Sequence, residues 1–283
     1  MPVSFPPIIQ QHLPAASLDV LSFLNFHYPS FAPSETWKWQ VKNFVSNLAP
    51  TIEDEAKATQ LALPPKTVLA DLVQLINTQG GHSIICAHLE DHLEMWRYPL
   101  WLVQFWAEVS RQQSIQEKWQ QAVTNLENML KAKGQYGEYR KVKTMLSRLP
   151  WTGTLRNAST HISMNQLAIY FTTDWLSDDH ELAMLDVLME DLSRAGCSNE
   201  YLLKNTAFSL LLKSAFGHQS EYHSSPAFEW LRRRGEDLAS GPKKFLVTIV
   251  NKENIHWTAV VLDFESEDIL YGDSYNNPMP TNL

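Results

Sequence analysis

The run "KKFLVTIVNKENIHWTAVVLDFESEDILYGDS", residues 243–274, constrains the fold of this chain more than any other stretch. Three apolar, β-branched segments, at 245–250, 256–264 and 269–274, are separated by two short polar turns, "NKEN" and "ESED". Strands joined so tightly pair with their chain neighbours, so an antiparallel meander is expected. If residue numbers across the last two strands sum to 529, Val260 faces Ile269, Thr258 faces Tyr271 and His256 faces Asp273. The loop is then the four residues Asp263 to Ser266. In that register the Asp273 carboxylate accepts a hydrogen bond from one imidazole nitrogen. It fixes the tautomer and leaves the other nitrogen as a base, while a plain structural His–Asp pair is the alternative.

Ahead of the meander stands "WLSDDHELAMLDVLMEDLSRAG". Ser177 suits a helix N-cap, and Asp178, Asp179 and Glu181 suit the positive end of the dipole. Leu182, Leu185, Leu188, Met189 and Leu192 supply the apolar stripe, and Gly196 the stop. Residues 1–150 are expected to be mostly helical. Helical spacing recurs after Ser34 (Trp37, Val41, Phe44, Val45, Leu48), and between Pro64–Pro65 and Gly80–Gly81. It recurs again after Pro99, and the pattern continues from Ser114 to Gly134, where Ser114 and Glu117 fit a capping box. Trp37, Trp39, Trp96, Trp101, Trp106 and Trp119 are taken as helix-packing core. Helices preceding an antiparallel sheet define an α+β protein. Its two parts are a helical region, 1–150, of unassigned role, and a second domain, 151–283, with the boundary near "LPWTGTL".

A net charge of −8 argues against nucleic acid as the main partner. Basic residues concentrate in 131–150 and in the "RRR" of 232–234, which are taken as solvated helix faces. With two cysteines, Cys86 and Cys197, no disulfide framework is indicated. The chain shows no secretory signal and no apolar span of membrane length, so an intracellular protein is expected, nuclear and cytoplasmic placement being left open. His82, Cys86, His88 and His92 include a one-turn histidine pair, but Glu90 does not complete a His-Glu-x-x-His motif. A histidine-bearing helix face is expected there, with no metal and no organic cofactor.

"HWTAVVLDFESEDILYGDS" resembles the His-Trp strand and the following Gly-Asp-Ser strand of the ubiquitin-like-protein (SUMO) proteases, a family of cysteine peptidases. "DWLSDDHELAMLDVLMEDL" resembles that family's Trp-Leu-Asn-Asp segment and the helix after it, with Ser177 in place of the Asn. The two motifs occur in the family's order, within about 165–283. The resemblance implies part of a papain-like cysteine-protease domain, built of a helix plus antiparallel strands. It implies His256 as general base and Asp273 as its orienting acid. Trp175 and Trp257 become the two walls of a tunnel for a Gly-Gly tail, and Asp178 a partner for a basic residue of a SUMO-type substrate. Two flat indoles admit a chain only where it lacks side chains.

In that family an oxyanion-hole Gln and the nucleophilic Cys follow the Asp. Neither follows Asp273. Three answers stand open. The sequence is a fragment of a deSUMOylating-type peptidase, lacking its nucleophile and inactive by itself. Or Cys197 serves, although it follows a helix end, where the dipole raises a thiol pKa. Or the domain binds ubiquitin-like proteins without cleaving them. The fragment is the expectation carried forward, with the inactive binding module as the alternative.

Overall fold

The computed structural model describes residues 5–28, 44–53, 63–85, 97–155, 159–252 and 255–280. The protein is α+β, in two compact units: Met1–Gly153 with Met164–Thr173, and Thr154–Ser163 with Asp174–Leu283. Among the described residues no helix is long and apolar enough to cross a membrane.

The first unit contains α1 (Pro7–Gln10), α2 (Val20–Leu24), β1 (Phe44–Ser46), α3 (Lys66–Gln79), β2 (Ser83–Ile85), β3 (Arg97–Pro99), α4 (Leu100–Ala132), α5 (Tyr136–Leu146) and a 3-10 helix, Met164–Phe171. Helix α3 starts after Pro65 and stops at Gly80, as its flanking residues require. Helix α4 corrects the expectation of a capping box at Ser114 and Glu117. It runs unbroken for 33 residues, about 50 Å at 1.5 Å per residue. No Gly or Pro interrupts 100–132. The Ser114 hydroxyl does not cap a new helix; it bonds back to the Ser110 carbonyl at 3.0 Å. The N-terminal half of α4 buries Leu102, Phe105 and Trp106 with Leu69 and Leu72 of α3. The C-terminal half buries Ile115 and Trp119 with Phe23 and Trp151, whose rings stack at 4.2 Å. Trp106 and Trp119 are thus core.

The first unit is also less helical than expected. Phe44–Ser46, the end of the helix anticipated from Ser34, forms a strand, and β1-β2-β3 make an antiparallel sheet. Its cause is tertiary: Val45 pairs with Ile84, and Gly81 (φ 126°) lies so close that a Cβ there would meet Val45 Cγ1 at 2.0 Å. Residues 34–43 of that anticipated helix, with Trp37 and Trp39, lie outside the described residues, as does Trp96.

The second unit contains α6 (Asp178–Arg194), β4 (Tyr201–Lys204), α7 (Thr206–Gly217), α8 (Glu229–Ser240), β5 (Phe245–Lys252), β6 (His256–Asp263) and β7 (Asp268–Asp273). Helix α6 begins where the sequence indicates. Ser177 and His180, at the third helical position, cap each other, and the Ser177 N–H donates to His180 Nδ1 at 3.2 Å. The helix ends at Gly196 (φ 74°), with the Cys197 N–H bonded to the Leu192 carbonyl.

The sheet has the order β4-β5-β6-β7. Strands β5, β6 and β7 form the expected meander, but β4 pairs parallel to β5, so the sheet is mixed. A parallel neighbour needs a crossover, and α7 and α8 provide it. Their Phe208, Leu231 and Leu238 bury Leu246 of β5.

The β6–β7 register differs from the expected one by two residues. Thr258, not His256, stands opposite Asp273, and Asp263 opposite Asp268. The loop is therefore Phe264–Glu267. The Asp263 carboxylate holds it by accepting the Glu265 N–H at 2.8 Å and the Ser266 N–H at 3.2 Å, and Glu267 turns the chain at φ 63°. A shift of two preserves the side-chain faces, because strand side chains alternate with a period of two.

Candidate functional site

His256 opens β6 and Asp273 closes β7, on the same face of the sheet and diagonal to one another. The diagonal is bridged: His256 Nε2 donates to Asp273 Oδ1 at 2.8 Å. The carboxylate is almost wholly enclosed, with side-chain exposures of 1% for Asp273 and 11% for His256. Burial alone pushes the Asp273 carboxyl up. The Tyr275 N–H, His256, Asn277 and Tyr271 outweigh that push and hold it down at about 2. The donors are the Tyr275 backbone to Oδ1 at 2.7 Å, the Tyr271 hydroxyl to Oδ2 at 3.1 Å and Asn277 Nδ2 to Oδ2 at 3.3 Å. Asp273 is therefore a fixed anion across the neutral range, and it commits the His256 proton to Nε2. Nδ1 is left as the lone-pair nitrogen, and it makes no hydrogen bond among the described residues.

The turn after β7 completes the setting. The Asn276 N–H bonds to the Asp273 carbonyl at 3.0 Å, and Asn276 adopts φ 57°. Tyr275 is thereby folded back on the imidazole, ring on ring at 4.5 Å and 22°. Sequence reasoning did not single out Tyr271, Tyr275 or Asn277. The signal for Tyr275 and Asn277 was present in "DSYNN", an Asp followed by turn-forming Asn residues, where the carboxylate caps its own turn.

Trp257, the next residue along β6, points to the opposite face of the sheet from His256. Its indole N–H donates to the Leu176 carbonyl at 3.0 Å, which ties the start of β6 to the segment leading into α6. Trp175 stands one residue before that carbonyl and is 63% exposed. Asp178 is exposed at the first position of α6. Asp179 is engaged by the Thr160 hydroxyl, and Asp186 by the Ser159 backbone N–H at 2.7 Å. The structure thus brings His256 to Asp273, and Trp257 to the chain beside Trp175, on the two faces of one strand end. Glu181, one turn after Asp178, is buried at 6% exposure. Burial first, and the Asp178 charge second, push its carboxyl up.

Cys197 is not part of this arrangement. It precedes β4, whose Tyr201 pairs with Phe245, which in turn pairs with Asp263 at the far end of β6 from His256. The seven steps from 256 to 263 span roughly 23 Å. Its thiol contacts the Ala195 carbonyl at 3.6 Å. Cys86, His88 and His92 lie outside the described residues. Among the described residues no three His, Cys, Asp or Glu side chains are grouped to hold a metal ion.

No family model, no curated protein and no solved structure matches this chain.

Proposed function

We propose that the second unit is part of a cysteine peptidase acting on SUMO-type ubiquitin-like proteins, cleaving after a C-terminal Gly-Gly. The observation that carries this reading is the His256–Asp273 pair, with an enclosed, firmly ionised carboxylate on Nε2 and an unbonded Nδ1. In the reaction, Nδ1 takes the proton of a cysteine thiol, and the thiolate attacks the glycine carbonyl carbon. The imidazolium then returns the proton to the leaving group. Asp273 stabilises that imidazolium without itself taking the proton, consistent with a carboxyl held near 2. The resemblance places the thiol and the oxyanion donor after Asp273, and residues 274–283 contain neither a Cys nor a Gln. Trp175 and Trp257 receive the glycine tail, and Asp178 a basic side chain of the substrate.

A second reading starts from the same unbonded imidazole nitrogen. Among the described residues no hydroxyl or thiol is hydrogen-bonded to His256. A domain that keeps Trp175, Trp257 and Asp178 without a nucleophile binds ubiquitin-like tails and does not cut them.

One experiment separates the readings. The transcript is read beyond the Leu283 codon, the longest product is expressed, and cleavage and binding of a panel of ubiquitin-like precursors are measured. Cleavage that falls roughly 10³-fold or more in His256→Ala establishes the peptidase. Binding without cleavage, lost in Trp257→Ala, establishes the binding module. Neither cleavage nor binding overturns both.

A further inference from the structure

The basic run at 232–234 resolves into three different environments. Arg232 spends its Nη1 donors on the carbonyls of Tyr222 and Ser225, the latter at 3.0 Å. Arg233 is paired with Glu229 one turn earlier at 2.5 Å. Arg234 differs. Its Nη1 reaches Asp237 at 2.9 Å, its guanidinium carbon lies 5.6 Å from the Trp230 ring centre, and its Nε is buried with no hydrogen-bond partner.

A second cation converges on the same indole from another element. Lys204, the last residue of β4, places Nζ 5.1 Å from the Trp230 ring centre. Its ammonium has no carboxylate partner and no hydrogen-bond acceptor among the described residues. Burial, then Arg234, then Lys243 push the Lys204 pKa down, and Asp237 is the carboxylate that counters them. Lys243 is committed to the Ser198 and Tyr201 carbonyls at 2.8 and 2.7 Å. The cluster therefore holds three cations against one carboxylate, and that carboxylate is already bonded to Arg234. Donors outnumber acceptors: the three ammonium N–H groups and the Arg234 Nε–H are all unspent. The site is open to solvent, since Trp230 is 43% exposed. Like charges gathered on one half-buried ring, in a chain whose net charge is −8, are most simply balanced by an anion.

We propose that Lys204, Arg234 and Trp230 form a binding site for a small multi-oxygen anion of the phosphate class. A tetrahedral oxyanion presents several separate acceptor oxygens, so it can meet an ammonium and the edge of a guanidinium with different oxygens, whereas chloride offers both a single atom. The Lys204 ammonium and the Arg234 guanidinium supply the donors, both beside the Trp230 ring. The proposal is independent of the His256–Asp273 pair.

The test uses the full chain and inorganic phosphate. The indole N–H signal of Trp230, assigned by its loss in Trp230→Phe, is followed in 1H–15N spectra during a phosphate titration at constant ionic strength, with chloride as the control. A saturable shift with phosphate, absent with chloride, is expected. Lys204→Met removes the ammonium while keeping an unbranched apolar side chain and should weaken binding about ten-fold or more, whereas Arg233→Ala should leave it unchanged. A shift that does not saturate, that chloride reproduces, or that saturates at the same phosphate concentration in a folded Lys204→Met protein overturns the proposal.

Discussion

Asp273 stands across the ladder from Thr258, yet its carboxylate reaches diagonally to His256 Nε2 at 2.8 Å. The diagonal is possible because the chain turns at once after β7, and the same carboxylate accepts the N–H of Tyr275. One buried charge thus holds the imidazole and the turn that lies over it. This arrangement makes its own demands on pH and on sequence.

The folded Asp273 pKa, about 2, lies below the ordinary aspartate value of 3.8, so its contribution to stability is present above about pH 4. That contribution should be lost as pH falls through about 2. In urea titrations the gap between the wild-type and Asp273→Asn midpoints should be widest near neutrality and close towards pH 2. A gap independent of pH would show that the carboxylate charge does not hold the site.

Tyr275 covers one face of the imidazole. Tyr275→Ala should speed carbethoxylation of His256 by diethyl pyrocarbonate several-fold, whereas Tyr275→Phe, which keeps the ring, should not. Peptide mapping of the modified histidine checks the assignment. Equal rates in all three proteins would mean that the stacking does not persist in solution.

The Trp257 indole N–H is the donor to the Leu176 carbonyl. Trp257→Phe removes the bond and leaves most of the ring, so a loss of about 1–3 kcal/mol is expected in chemical denaturation. If the Gly-Gly reading holds, the same change also weakens binding of the tail.

Glu181 tests the opposite sign. Its folded pKa is raised by burial and then by Asp178, so the fold is favoured while the group is protonated. That advantage is lost as pH rises from the ordinary glutamate value through the folded one. Glu181→Gln should therefore be more stable than wild type at pH 7 and equal to it near pH 4. A variant less stable at pH 7 would point to an anionic role for Glu181.

Features fixed by local chemistry were legible in the sequence. Ser177 and Gly196 bracket α6, Pro65 and Gly80 bracket α3, and the β5–β7 meander announced itself through apolar, β-branched runs separated by short polar turns. Since a two-residue shift keeps the faces, His256 and Asp273 could be paired from the sequence although their register could not. The register was set by the Asp263 side chain gripping its own loop, a contact that strand spacing does not encode. Strands β1 to β4, of three or four residues, carry too little pattern to stand out; β1 and β4 exist because Ile84 and Leu246 lie beside them. The length of α4 was hidden by Ser114 and Glu117, which look like a helix start but sit inside a helix with no breaker.

The mixed order of the sheet also sets a sequence of events. Strands β6 and β7 are joined by the four residues Phe264–Glu267, whereas residues 205–244 intervene between β4 and β5. Closing the short loop restricts far less chain than closing the long crossover, so the hairpin carrying His256 and Asp273 can form before β4 docks. The histidine and its carboxylate thus meet through contacts of short sequence separation, the part of the second unit whose closure costs the least chain entropy.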